Sequence, residues 1–490
     1  IPPLSVDSFP RSSIMASPLP VVLSLVLLLS VAGATVPPSA TFRYVNQGEF
    51  GPYVNEYDGN YRMIGISRSP FQMGFYNTTP NAYALALRLG IHRQEPNYRW
   101  VWEANRGNLV DENATLTFAA DGNLVLAYSD GRVAWQTRTA NRGVTGLKLL
   151  PNGNLVLHDA AGRFVWQSFS QATDTLLVGQ TLRVGSRLVS RASDALNQDG
   201  LYSLVVEPRR FTLNYASPGA SRTPPLPYYA STREWSTAAR NVTLAATVEA
   251  EQGGATTLEL ETAGTGLEIL ARPNYNATYS YLRLGQDGNL YIVTYNTLVD
   301  YSPRETTFTL FRRDPYDSDV PGECQLPERC GGFGVCEDSQ CVACPTPRGL
   351  ADWSPDCGAP KRPPCDPNLF YYYRVAGVEP FWRRYTTGQG PIKAEECGAR
   401  CSRDCGCAGY FVDEATSGCW TASELLTLTR VPNATRVGFI KTARDGGFQD
   451  DPNPFFFPLV CKRAKIMDGE GATLSRPRWC FCHFHSIIVT

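Results

Sequence analysis

The first 323 residues contain no cysteine; all 15 cysteines lie from Cys324 onward. That absence excludes a disulfide framework from the larger, N-terminal part of the chain, which must be held by its own hydrophobic cores. Covalent bracing is left to the C-terminal part. Charge of one sign is missing too. Lys and Arg number 45 against 46 Asp and Glu, for a net charge of −1. That balance excludes the basic footprint of a protein that binds nucleic acid or an anionic membrane. Histidine is scarce, at four residues. Neither His92 nor His158 has a Ser or Cys nucleophile motif near it, and no G-x-S-x-G, P-loop, H-R-D or D-F-G signature occurs. Glu395-Glu396 fits a solvated helix start better than a glycosidase pair, whose carboxylates come from separate elements. The expected class is a non-enzyme that needs no cofactor.

No apolar run approaches the ~20 residues of a membrane span. The longest, Val21 to Val31, has 11 residues and ends in Ala32-Gly33-Ala34, the small-x-small pattern of a signal-peptidase site. Residues 15–34 therefore read as a signal peptide, with Ile1 to Ile14 upstream of Met15 and no membrane span in the mature chain. Five N-glycosylation sequons, at Asn77, Asn113, Asn241, Asn276 and Asn433, fit a secretory route.

What the sequence has in abundance is strand and turn chemistry: 24 Tyr, 22 Phe and 9 Trp alongside 42 Gly and 36 Pro. One unit recurs after 31 residues. Asp121-Gly122-Asn123-Leu124-Val125-Leu126 with Gly131-Arg132 and Trp135-Gln136 returns as Asn152-Gly153-Asn154-Leu155-Val156-Leu157 with Gly162-Arg163 and Trp166-Gln167. Asp-Gly and Asn-Gly supply the positive φ that tight hairpins need. A single hairpin cannot bury its Trp, so several must pack together. Arg99-Trp100-Val101-Trp102-Glu103 reads as a degenerate earlier copy. Three units, each with a Trp, predict a prism around a shared axis. Regular spacing makes Trp102, Trp135 and Trp166 core residues rather than sugar-stacking platforms. Beyond residue 180 the pattern stays strand-like, as in Leu201 to Val206, Phe211 to Tyr215 and Tyr281 to Val293, which predicts a second β-domain.

The cysteines fall into two blocks of six: Cys324, Cys330, Cys336, Cys341, Cys344 and Cys357, then Cys365, Cys397, Cys401, Cys405, Cys407 and Cys419. An even count allows each block to close on itself, although sequence alone leaves the connectivity open. Glu395 to Cys401 reads as a short helix with both sulfurs on one face. Composition changes abruptly after Ala443. Cys480, Cys482, His483 and His485 are spaced more tightly than zinc ligands, and no metal site is expected.

These residues carry a family resemblance. Asp-Gly-Asn-Leu-Val-Leu, and Trp166-Gln167-Ser168-Phe169 followed by Thr173-Asp174-Thr175-Leu176-Leu177, resemble the bulb-type, mannose-binding lectin domain in the version found in plant S-domain receptors. Cys330-Gly331-Gly332-Phe333-Gly334-Val335-Cys336 is similar to their EGF-like segment. Cys397-x3-Cys401-x3-Cys405-x-Cys407, with Gly418-Cys419-Trp420 and Gly438-Phe439-Ile440-Lys441, is similar to their PAN/apple domain. With no kinase signature, and with the opening Phe42 to Phe50, the chain resembles most the plant epidermis-specific secreted glycoproteins. The resemblance implies a mainly β protein: a bulb-lectin β-prism over 41–180, a second lectin-like β domain over 181–320, an EGF-like segment over 322–360, a PAN/apple domain over 361–443 and an atypical tail over 444–490. It also implies the pairings Cys397–Cys419 and Cys401–Cys407, leaving Cys405 for Cys365. Cys341-Val342-Ala343-Cys344 departs from the EGF-like pattern, with two intervening residues where one is usual.

The family's mannose site is Gln-x-Asp-x-Asn-x-Val-x-Tyr. Its positions hold Ala119, Asp121, Asn123, Val125 and Ala127 in the first copy. They hold Leu150, Asn152, Asn154, Val156 and His158 in the second, and Gly285, Asp287, Asn289, Tyr291 and Val293 in the third. No copy is intact. Asp121, Asn123 and Val125, then Asn152, Asn154 and Val156, are the candidates for residual glycan contact, set against a purely turn-forming role. The expected function is a secreted, extracellular or cell-wall glycoprotein that binds glycans or extracellular proteins, with an oligomer left open. The alternative is a truncated ectodomain of an S-domain receptor-like kinase.

Overall fold

The computed structural model describes residues 35–444, apart from 51–59, 91–98, 219–223, 232–234, 236–237, 250–254, 263–264, 274, 297, 300–302 and 315–320. The expected signal peptide at 15–34, and Cys461, Cys480, Cys482, His483 and His485 in the tail, lie outside the described residues.

Three antiparallel sheets form the first β-domain. Strands Asn60–Arg68, Phe71–Thr79, Ala82–Leu89 and Arg99–Glu103 make one. Phe42–Val45, Thr115–Phe118, Leu124–Ala127 and Val133–Gln136 make the next. The third comprises Gly146–Leu149, Leu155–His158 and Phe164–Gln167. The last strand of each delivers one tryptophan to a common axis. Trp102, Trp135 and Trp166 pack edge-on in a closed triangle, with centroids 6.0, 6.1 and 5.8 Å apart and interplanar angles of 71°, 67° and 75°. Such T-shaped pairs put a positive ring edge against a negative face. The 31-residue repeat is thus a prism, and its period is the length of chain needed to turn from one face to the next.

A second prism follows, built of three four-stranded antiparallel sheets. The chain enters it by threading one edge strand into each sheet in succession: Thr175–Leu177, Thr181–Arg183 and Arg187–Arg191. These pair with Ser280–Leu284, Asn241–Glu249 and Asp199–Val206 respectively. The second prism therefore starts at Thr175, before the boundary expected at residue 181. Thr175–Leu177 is too short to read as a strand from its own pattern, and its partner lies about a hundred residues away.

Beyond the prisms, the first cysteine block pairs first with third, second with fourth and fifth with sixth: Cys324–Cys336, Cys330–Cys341 and Cys344–Cys357. The extra residue between Cys341 and Cys344 is absorbed by a bulge. Cys336 faces Cys341 and Val335 faces Ala343, so Val342 has no opposite number and its side chain is exposed. In the second block the structure pairs Cys397–Cys419, Cys401–Cys407 and Cys365–Cys405, the set that the family resemblance implies. The helix Ala394–Arg403 buries Cys397 and Cys401, four residues apart on its inner face, against a four-stranded sheet. The two blocks share a further sheet: Val335–Glu337 of the first runs parallel to Leu428–Arg430 of the second. They also pack on the second prism, where Tyr202 Oη donates to Glu328 at 2.5 Å and Tyr215 Oη to Glu424 at 3.1 Å.

Candidate functional site

All three copies of the sugar-site signature fold as hairpin turns, and in each the asparagine points inward. Asn123 is the pattern. Its Nδ2 donates to Gln136 Oε1 at 2.8 Å, while its Oδ1 accepts from the Thr137 hydroxyl at 3.0 Å and the Thr139 N–H at 3.1 Å. Asn154 repeats this with Gln167 at 2.8 Å, and with the Ser168 hydroxyl and the Phe169 N–H at 3.3 Å each. Asn289 bonds both ways to the backbone of Phe311, at 2.9 and 3.0 Å. Each asparagine thus staples its hairpin to the segment that follows the next strand, and its amide has little left to offer a ligand. The acid or amide two residues earlier caps the turn through its own Oδ1: Asp121 to Asn123 N at 2.9 Å, Asn152 to Asn154 N at 3.2 Å, and Asp287 to Asn289 N at 3.0 Å.

The apolar and terminal positions fare no better. Val156 is 1 % exposed, which leaves it almost no surface to lay against a sugar ring. Asn123 and Asn154, at 7 % and 3 % exposed, are likewise turned away from solvent, with their hydrogen bonds made inside the fold. In the third copy Tyr291 occupies the valine position and closes the site by donating to Asp287 Oδ2 at 2.6 Å. Tyr128, one residue beyond the tyrosine position, donates instead to Asn108 Oδ1 at 2.7 Å. Asp121, Val125 and Asn152 keep solvent-facing surface. The partner that sequence reasoning missed is the glutamine. Gln136 and Gln167 recur at the repeat offset, thirteen residues past each asparagine, and that co-recurrence was the available signal.

The sequons divide. Asn113, Asn241, Asn276 and Asn433 are exposed. In Asn276 and Asn433 the side-chain oxygen accepts from the backbone N–H two residues on, at 2.9 and 3.0 Å, which leaves the amide nitrogen outward. Asn77 lies in the strand Phe71–Thr79, opposite Asn60 and Tyr83, and is 6 % exposed. That burial leaves its amide little surface on which to carry a glycan. Glycopeptide mass spectrometry of the secreted protein should find Asn77 unmodified and the other four positions available; an occupied Asn77 in folded protein would contradict this placement.

A buried polar cluster joins the two prisms. Glu103 Oε1 accepts from Arg191 Nη1 and Asn197 Nδ2, both at 2.8 Å, and from the Tyr76 hydroxyl; its Oε2 accepts from Arg106 Nε at 2.5 Å. Arg106 Nη2 reaches Asp174 Oδ2 at 2.9 Å. Burial acts to raise the pKa of Asp174, but the charges of Arg106 and Arg283 outweigh it and hold the carboxyl below its ordinary value. The cluster reaches solvent at Asp199, an exposed carboxylate 3.9 Å from Arg106 Nη1, and its buried pairs fasten one prism to the other. Among the described residues no group of three or more metal-ligating side chains converges.

Comparison with known proteins decides the lineage. Residues 99–193 match the D-mannose binding lectin family. The chain is 44% identical to EP1-like glycoprotein 3 of Arabidopsis thaliana over 430 residues, covering 85% of this chain and 95% of that one. It is 51% identical to the epidermis-specific secreted glycoprotein EP1 of Daucus carota over 362 residues, covering 70% and 92%. The chain belongs to the EP1-like glycoproteins. A fainter likeness, 21% over 438 residues, extends to the G-type lectin S-receptor-like serine/threonine-protein kinase SD2-5 of Arabidopsis thaliana, of which the matched part is 50%. As an EP1-like glycoprotein the chain is secreted and lectin-like, and no helix among its described residues is long and apolar enough to cross a membrane.

Proposed function

We propose that this EP1-like glycoprotein is a non-catalytic binding protein of the extracellular space and cell wall, and that it engages glycan or protein partners through surfaces other than the family's mannose turns. The EGF-like and PAN-like blocks extend the surface that the prisms present. The observation that carries this reading is the inward asparagine: Asn123, Asn154 and Asn289 all use their amides to hold the hairpins together. The signature persists in the sequence because the turn needs it.

A mannose site of this kind starts from millimolar affinity, about −4 kcal/mol. Losing the Gln and Tyr hydrogen bonds, at ~1 kcal/mol each, leaves almost nothing. Titration of the purified protein with methyl α-mannoside and with short mannan oligosaccharides should therefore show no saturation up to about 10 mM, roughly tenfold above that starting Kd. Saturable mannose binding that disappears in Asp121→Ala would return the function to these turns. Retention of the protein on cell-wall extracts, with mannose unable to release it, is the matching positive result.

A further inference from the structure

A cleft whose walls carry unpaired charge lies where the two prisms meet. It encloses about 730 Å³. One wall is the turn Ser168–Ser170 and Gln171 at the end of the first prism. The other is the turn that carries the chain from Thr181–Arg183 to Arg187–Arg191, edge strands of two different sheets of the second prism. That turn is tight, with Ser186 N–H donating to Arg183 O at 2.9 Å and Gly185 at φ +85°, so Arg183 and Arg187 stand on either side of it. Both arginines are exposed line residues of the cleft, no carboxylate shares the lining, and neither guanidinium has an ion-pair partner among the described residues. This contrasts with Arg106 and Arg191 of the inter-prism cluster, which are buried and paired.

The walls are held. Trp102 Nε1 donates to Gln171 O at 2.8 Å, tying one wall to the tryptophan triangle, and Gln180 Nε2 donates to Phe169 O at 3.1 Å, tying the two walls to each other. A polar groove of this size, already formed, spares a ligand the cost of ordering it. Ser170, Gln171 and Ser186 add hydroxyl and amide groups of the kind that recognise sugar hydroxyls, and Phe169 and Leu182 provide an apolar floor.

We propose that this cleft binds a carboxylate-bearing oligosaccharide, a stretch of uronic-acid residues whose carboxylates meet the forks of Arg183 and Arg187 while the ring hydroxyls meet Ser170, Gln171 and Ser186. Guanidinium matches a carboxylate in a planar, two-point geometry that an ammonium cannot reproduce. The hydroxyl-rich walls favour a sugar acid over an acidic peptide. This deepens the role proposed above, as an extracellular binding protein, by naming a ligand class and a place.

The test uses the full secreted chain and three probes: an oligogalacturonate of about ten residues, a neutral mannan oligosaccharide of equal length, and a poly-glutamate peptide of equal charge. The oligogalacturonate should bind, with affinity falling as salt rises because the pairs are solvent-facing; the other two should bind at least tenfold more weakly. In the double variant Arg183→Gln/Arg187→Gln the affinity should fall about 30-fold and most of the salt dependence should vanish. Arg183→Lys/Arg187→Lys, which keeps charge but not the fork, should fall in between. Arg163→Gln, which removes an exposed arginine on the first prism, should bind as wild type. All three arginine positions are exposed, and an unchanged melting temperature confirms folding. Undiminished oligogalacturonate binding by the double glutamine variant overturns the assignment of the cleft while leaving the binding role standing. Poly-glutamate binding equal to that of oligogalacturonate overturns the sugar class. Absence of oligogalacturonate binding to the wild type overturns the inference outright, whereas the binding role then rests on retention by wall extracts.

Discussion

Glu103→Leu should destabilise the protein by about 3–5 kcal/mol, because it removes the carboxylate shared by two buried guanidiniums, Arg106 and Arg191. Glu103 and Arg191 are 5 % and 3 % exposed, and Arg106 beside them is paired to the same carboxylate. A shift in the urea midpoint, with the slope unchanged, would measure the loss. The double variant Glu103→Leu/Arg191→Met should recover much of it, since the expense of a broken buried pair lies in the charge left behind. A single variant within about 1 kcal/mol of wild type would mean that water reaches the cluster. Asp174 gives the same junction a pH signature. Its carboxyl is held below the ordinary value, so the stability it contributes is fully present above the unfolded pKa of about 3.9 and fades as pH falls through the lower folded value. Acid should loosen the contact between the prisms from that direction.

Trp102→Ala should remove a comparable amount, about 3–5 kcal/mol, by opening a cavity on the axis of the first prism. Its ring meets both Trp135 and Trp166, and its N–H is the tie to Gln171 O, so the alanine loses two aromatic contacts and a hydrogen bond at once. Trp102→Phe keeps an aromatic edge and should lose less. Near-ultraviolet circular dichroism would follow the collapse of the triangle, and thermal melting its energy. If the alanine variant melts within a degree or two of wild type, the triangle does not organise the domain.

The tryptophan axis was legible because it is written periodically: Trp135 and Trp166 keep a fixed offset, and Trp102 ends a strand of the same kind. The hairpin turns were legible through Gly122 and Gly153, which adopt the positive φ the pattern demands. The fate of the asparagines was not. Whether Asn123 faces solvent or Gln136 is decided by how one strand lies beside another, and the same Asp-Gly-Asn serves either outcome. Nor was the inter-prism cluster visible. Tyr76, Glu103, Asp174, Arg191 and Asn197 come from separate segments with no shared spacing, and each reads alone as an ordinary surface or strand residue. The burial of Asn77 was hidden for a related reason: a sequon is a local rule, and burial within a sheet is not.

The parallel pairing of Val335–Glu337 with Leu428–Arg430 means that the borders drawn from cysteine spacing are not lines along which the molecule can be cut. Severing the chain near residue 360 would expose a raw strand edge on each fragment, an invitation to aggregate that six intact bridges could not prevent.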